Sequence, residues 1–169
     1  MATKWNLDQS HSEITFKVRH MMISNVKGEF KDFNVELESE DDNFQNVSAV
    51  AEIKTDSIST NNTDRDNHLK SEDFFNAASN PTITFKASQL NNEVTGDLTI
   101  GGITKPIQLD VDFGGIGVDP WGNTKAGFSF EGKIKRSEFG LNWNAALEAG
   151  GVMVSDEVKI AGELQFVKA

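Results

Sequence analysis

Ala126-Gly127-Phe128-Ser129-Phe130-Glu131-Gly132-Lys133-Ile134-Lys135-Arg136 is apolar or glycine at every second position up to Ile134. The positions between carry glycine, serine or charge, which is the period of a strand with one buried face. The same rhythm recurs on both sides. Downstream it runs through Val158, Ile160, Gly162, Leu164 and Phe166. Upstream come Ile107, Leu109, Val111, Phe113, then Val94, Gly96, Leu98, Ile100, then Ile83, Phe85, Ala87. Nearer the N-terminus are Val47, Ala49, Ala51, Ile53, then Phe33, Val35, Leu37, then Val26, Gly28, Phe30, and first Ile14, Phe16, Val18.

Turn residues stand between these runs: Asn91-Asn92, Gly101-Gly102, Asp119-Pro120-Trp121-Gly122-Asn123 and Gly150-Gly151. About eight strands, each with one apolar face, form a sandwich or close into a barrel, and closure removes the exposed edges. The pattern favours an all-β fold, a closed antiparallel barrel of about eight strands. At 169 residues the chain is expected to be one domain, 1–169, large enough to bury roughly two-thirds of its unfolded surface.

One segment departs from the rhythm. Thr60 to Leu69 has no alternation, and Thr63 with Asp66 resembles a capping box, although Asp is a weaker partner than Glu. Ser71-Glu72-Asp73 repeats the start signal before Phe74 and Phe75, and Asn80-Pro81 ends the excursion. Residues 58–80 are read as a short helical insert over one mouth of the barrel, against the plainer reading of a solvated connection.

Composition narrows the function. The chain has 16 basic and 26 acidic residues, a net charge of −10, and no cysteine. A surface of that sign is a poor partner for nucleic acid or anionic membranes, and no thiol chemistry or disulfide framework exists. No stretch approaches the ~20 apolar residues of a span, so stable membrane insertion is not expected. The opening Met1-Ala2-Thr3-Lys4-Trp5-Asn6 lacks a signal-peptide core. That predicts a soluble, cytoplasmic chain as it stands, or a periplasmic or secreted one if a leader has been removed.

There are 12 Phe, 3 Trp and no Tyr. Phe fills space without a hydrogen-bond partner, which suits ordinary core packing and also an apolar lumen. An eight-stranded barrel can be plugged by side chains or hold one small ligand. Gly28, Gly96, Gly132 and Gly162 fall in the apolar register, where each either leaves lumen space or lets a strand bend. By parity His20 continues the face of Phe16 and Val18, and Arg136 that of Phe130 and Ile134. Each could meet a lipid headgroup. Alternatively, Arg136 pairs with an acid at the rim and His20 bonds to backbone.

Catalytic signatures are weak. His11, His20 and His68 lack the short spacing of local metal ligands, and no HExxH, G-x-S-x-G, phosphate-loop or dinucleotide fingerprint is present. No enzyme activity, cofactor or metal is expected. A lipid-modifying enzyme using His20 or His68 as base, and a filled-barrel interaction module, are the alternatives.

Trp5-x-x-Asp8-x-x-His11-Ser12 followed by Phe16-x-Val18-x-His20 resembles the opening of the YceI-like family. Arg65-Asp66-Asn67-His68-Leu69, Asp73-Phe74-Phe75 and Asn80-Pro81 continue the resemblance, as do Gly96-x-Leu98-Thr99-Ile100-x-Gly102-Ile103-Thr104 and Arg136-Ser137-x-Phe139-Gly140. It implies an extended lipocalin-like barrel that binds polyisoprenoid or related long-chain lipids, with roles in isoprenoid or quinone-precursor carriage, storage and stress protection. The lumen is then expected to be hollow and lined by Phe16, Val18, Phe30, Phe85, Leu98, Ile100, Leu109, Phe128, Phe130, Ile134 and Ile160. Phe74 and Phe75 would close one mouth, with His20 or Arg136 at the headgroup. The partner is a long-chain isoprenoid, an isoprenoid quinone or precursor, or another apolar lipid such as a fatty acid or amide. A homodimer is left open.

Overall fold

A computed structural model describes residues 3–20, 23–40, 47–72, 74–87, 93–141 and 154–169, with His20 and Glu93 described by backbone alone. The turns read at Asn91-Asn92 and Gly150-Gly151 lie outside these residues. The described strands are β1 (Thr3–Leu7), β2 (Glu13–His20), β3 (Ser24–Phe30), β4 (Phe33–Ser39), β5 (Val47–Lys54), β6 (Ile58–Ser59), β7 (Thr82–Ala87), β8 (Glu93–Ile100), β9 (Ile103–Val118), β10 (Thr124–Lys135) and β11 (Val154–Lys168). Among the described residues one α-helix, α1 (Thr63–Lys70), falls between β6 and β7.

The segments make an eight-stranded closed barrel, because three pairs of them are halves of single bent strands. β1 and β2 both pair with β11; β4 pairs with β1 and β3 with β2; β5 pairs with β4 and β6 with β3. From β5 the order continues through β7, β8, β9 and β10 to β11, each antiparallel to its neighbour. The ring has no free long edge, which removes the template for edge-to-edge association.

The bends are built by side chains that replace interrupted ladder bonds. Between β1 and β2 a 3₁₀ turn (Gln9–His11) is capped by Asp8, whose Oδ1 accepts from the Ser10 amide at 3.1 Å and its hydroxyl at 2.7 Å. The other oxygen meets His11 Nδ1 at 2.9 Å and Lys125 Nζ at 3.4 Å. Ser12 Oγ then accepts from the Gln165 amide at 3.0 Å, pinning the bend to β11. Between β5 and β6, buried Thr55 donates its hydroxyl to Asn80 O at 2.8 Å.

Apolar residues form two clusters within the ring. The lower one packs Trp5, Val35, Leu37, Val47, Ala126, Phe128 and Phe166; Trp5 is almost fully buried and its indole N–H donates to Ser39 Oγ at 3.2 Å. The upper one joins Ile14, Phe30, Phe33, Ile53, Ile58, Ile83, Leu98, Ile100, Phe139 and Leu141.

The insert differs from its sequence reading. Only Thr63–Lys70 is helical; Ile58–Ser59 is strand, and the described residues after Ser71 form turns. The helix is capped by Asn62, which accepts from the Arg65 amide at 3.0 Å, not by Thr63. Asp66 instead reaches back to the Thr60 amide and hydroxyl at 2.8 and 2.6 Å, so the residue read as a capping-box acid anchors the incoming chain. β9 also runs further than its alternation, to Val118. An extra residue at Gly114, with Gly115 at φ +106°, breaks parity without ending the ladder. Among the described residues no helix is long and apolar enough to cross a membrane.

Hydrogen bonds from Ser10 and His11 hold the Asp8 carboxyl far below the ordinary carboxylate range; burial opposes them and Lys125 adds to them. A depressed folded pKa gives stability above the unfolded value, about 3.9, which is lost as pH falls toward the folded value. Asp8→Asn is therefore expected to cost about 1 kcal/mol at pH 7. Urea unfolding should show that deficit shrinking as pH drops through the carboxylate range.

Candidate functional site

The ring encloses a cavity of about 630 Å³. Its wall is built by the inward positions of the long strands, because successive side chains in a strand point to opposite faces. Phe16, Val18, Phe30, Phe85, Leu98, Ile100, Leu109, Phe128, Phe130, Ile134 and Ile160 all line it. Phe74 and Phe75 line the upper mouth, and Arg136 borders the cavity there. The side chain of His20, at the end of β2, lies outside the described residues. Lining residues absent from the expected set include Ala49, Ala51, Val94, Val111, Leu164 and Phe166. Their alternation was legible, but which turn of each strand borders open space depends on cross-strand register.

The four in-register glycines are not vacant volume. A Cβ on Gly28 would strike the tip of the Phe16 ring, directly opposite on β2. On Gly162 it would lie 2.5 Å from the Phe130 ring and from Glu13 O, and on Gly96 2.5 Å from the Phe85 ring. Gly132 faces Leu109 Cδ2 at 2.6 Å in the same way. Each glycine is a seat for a large side chain from a neighbouring strand, the packing device by which aromatic rings cover strand glycines. A ring lying along the wall leaves the centre of the barrel clear. Of the two sequence readings, open space or bend, neither names this cause.

The upper mouth is covered by the insert. Phe75 packs edge-on against Phe30, with centroids 6.0 Å apart, and Phe30 meets Phe16 at 5.6 Å. His68 of α1 stands edge-on to Phe74 at 5.1 Å. Arg65 turns its guanidinium to Thr60, donating to Oγ1 at 2.8 Å and to the carbonyl at 2.7 Å.

Arg136 is 5 % exposed. Its Nε donates to Ser155 O at 3.0 Å, Nη1 to Leu141 O at 2.6 Å and Nη2 to Val154 O at 3.1 Å. Burial lowers its pKa and the nearby Asp156 carboxylate opposes the shift. These carbonyl bonds clamp the start of β11 to the 3₁₀ turn after β10 (Arg136–Phe139). Asp156 completes the corner by accepting from the Ser137 amide and hydroxyl at 2.9 and 2.8 Å. The rim acid of the sequence reading, Asp156, is near, and Arg136 also donates to these three carbonyl oxygens. Among the described residues no group of three or more His, Asp or Glu side chains is placed to hold a metal ion.

The strands form a closed eight-stranded antiparallel barrel of lipocalin type around an apolar cavity. The YceI-like domain family matches residues 5–166, nearly the whole chain, and this chain belongs to that family. A UPF0312 protein of Staphylococcus epidermidis is 45% identical over 166 residues, covering 97% of each chain, and one of Staphylococcus aureus is 42% identical over the same span. The crystal structure of Burkholderia cenocepacia BcnA superposes with a TM-score of 0.79 at 25% identity, covering 94% of this chain and 98% of that one. The Campylobacter jejuni YceI protein gives 0.75 at 35% identity, covering 89% and 90%. A polyisoprenoid-binding domain from Saccharophagus degradans shares the fold, with a TM-score of 0.72 at 16% identity over 98% of both chains. These relationships establish the family and the fold.

The seating of Phe16 on Gly28 has a testable signature. Gly28→Ala forces the ring off its seat and is expected to lower stability by about 1–3 kcal/mol in urea unfolding. Combined with Phe16→Ala, the added methyl should cost less than it does alone, because the ring it displaces is gone. Additive single effects would contradict the seating.

Proposed function

We propose that this protein binds a long-chain isoprenoid lipid or isoprenoid quinone, or another apolar chain of similar girth, along the barrel lumen and carries or stores it. The observation that carries this reading is the enclosed apolar cavity of about 630 Å³. At about 30 Å³ for each water-sized group, it accommodates about twenty methylene-sized groups of chain. Burial contributes about 0.8 kcal/mol per methylene, enough to offset an association cost of about 4–15 kcal/mol without a strong polar contact. The long chain supplies affinity, and the head is secondary.

The polar end of the guest belongs at the upper mouth. There Asp64, Arg65 and His68 of α1 and the buried Arg136 border an otherwise apolar lumen. Both arginines direct guanidinium donors to protein oxygens, Arg65 to Thr60 and Arg136 to carbonyls. A neutral or modestly polar head therefore suits this mouth better than a diphosphate. The apolar wall favours binding over turnover.

Native mass spectrometry of freshly purified protein, with extraction of any bound lipid, tests the proposal. An adduct whose mass matches one isoprenoid lipid is expected, as is stoichiometric uptake of geranylgeraniol by the emptied protein. Ala51 lines the lumen with the smallest inward side chain available. Ala51→Phe should weaken uptake at least tenfold while thermal unfolding stays cooperative. A bare wild-type mass that stays bare after incubation with geranylgeraniol would overturn the reading, as would unchanged uptake by the folded variant.

A further inference from the structure

Among the described residues six large hydrophobic side chains are exposed, and four of them sit toward the tip of one hairpin, that of β9 and β10. Phe113 and Ile116 are 41% exposed, Val118 70% and Trp121 82%. The first three share a face. Phe113 stands opposite Phe128, Ile116 opposite buried Ala126, and Val118 opposite Thr124. That is the lumen-facing side of the sheet, and lower-numbered positions of the same face, Leu109 and Val111, line the cavity. Phe113 stacks on Phe128 at 5.0 Å, and Phe128 packs edge-on to Phe166 at 5.9 Å. An apolar track thus runs from the cavity wall onto a hairpin that projects past the closed ring.

The tip is rigid and electrically quiet. Residues 114–124 contain a single ionisable side chain, Asp119. Its Oδ1 accepts from the Trp121 and Asn123 amides, each at 2.9 Å, and its Oδ2 from Asn123 Nδ2 at 3.1 Å. These bonds, with the Asn123 amide bond first, lower its pKa and hold the turn that presents Trp121. The chain as a whole carries a net charge of −10. A second copy of so acidic a chain is repelled, whereas a bilayer without net surface charge is not. Tryptophan at a projecting tip suits the amphipathic boundary of such a bilayer.

We propose that the β9–β10 hairpin is a reversible docking element for a zwitterionic lipid bilayer, its tip seating Val118 and Trp121 in the headgroup region. The surface lies at the end of the barrel opposite α1. It adds a contact with bulk lipid to the lumen's binding of one lipid molecule. Docking here places the apolar track of Phe113 and Ile116 toward the membrane.

The test uses the full chain and phosphatidylcholine vesicles. Wild type should co-sediment with the vesicles, and Trp121→Ala with Val118→Asp should lower partitioning by at least tenfold, since burying one such side chain is worth about tenfold or more. The same double variant should take up farnesol added without vesicles as wild type does, because neither residue lines the lumen. Equal co-sedimentation of wild type and variant, or none by wild type, would overturn the docking proposal. So would a variant whose only change is from dimer to monomer in sedimentation velocity, which would assign the patch to a second copy. Vesicle binding without farnesol uptake would leave the docking element standing and remove the lumen reading instead.

Discussion

Closing eight strands into a ring brings large apolar side chains from all sides into one narrow interior, and the register of glycine against phenylalanine decides whether that interior fills. Phe16 lies over Gly28, Phe130 over Gly162, and Phe85 over Gly96. Each pair turns a side chain that could cross the lumen into one that lies along its wall. The rings keep their packing partners and lose little burial, while the centre stays open. A one-residue slip in any of these ladders would turn a strand's apolar set out of the lumen, and a two-residue slip of β3 would set Phe30 against Phe16.

The second constraint is where the ring bends. Three of its eight strands are broken in two, and each break costs ladder bonds that side chains must replace. Asp8 and Ser12 do so between β1 and β2 and Thr55 between β5 and β6, while Arg136 with Asp156 holds a separate corner where β11 starts. Many of the polar residues that carry the family resemblance serve these corners. Asp8, His11, Ser12, Asp66, Arg136 and Ser137 hold backbone or one another. The wall that faces the cavity is instead built from interchangeable apolar residues at strand period. Chemically distinctive motifs therefore mark the scaffold here, and the binding surface is nearly featureless in sequence.

This explains what could be read in advance. Alternation located the strands and the lumen-facing set from Phe16 to Ile160, because parity within one strand is a local property. It did not reveal that glycines serve as ring seats, which depends on the register between β2 and β3 or between β10 and β11. It stopped β9 at Phe113, because the extra residue at Gly114 inverts parity while the ladder continues to Val118. Arg136 was placed at the cavity edge by parity, but its three carbonyl partners come from Leu141 and the start of β11, positions no local pattern connects. The insert was legible as a departure from the strand period and not in its extent, since its start signals at Thr63 and Ser71 compete with the true cap at Asn62.

An open, dry, glycine-seated lumen is the claim on which the rest stands. Xenon pressurisation of crystals of the delipidated protein addresses it directly, because a dry apolar cavity takes up xenon whereas a filled core does not. The account predicts ordered xenon inside the ring between the Phe16, Phe85 and Phe130 walls, with each ring still lying over its glycine. A lumen without xenon, crossed by those rings, would contradict it.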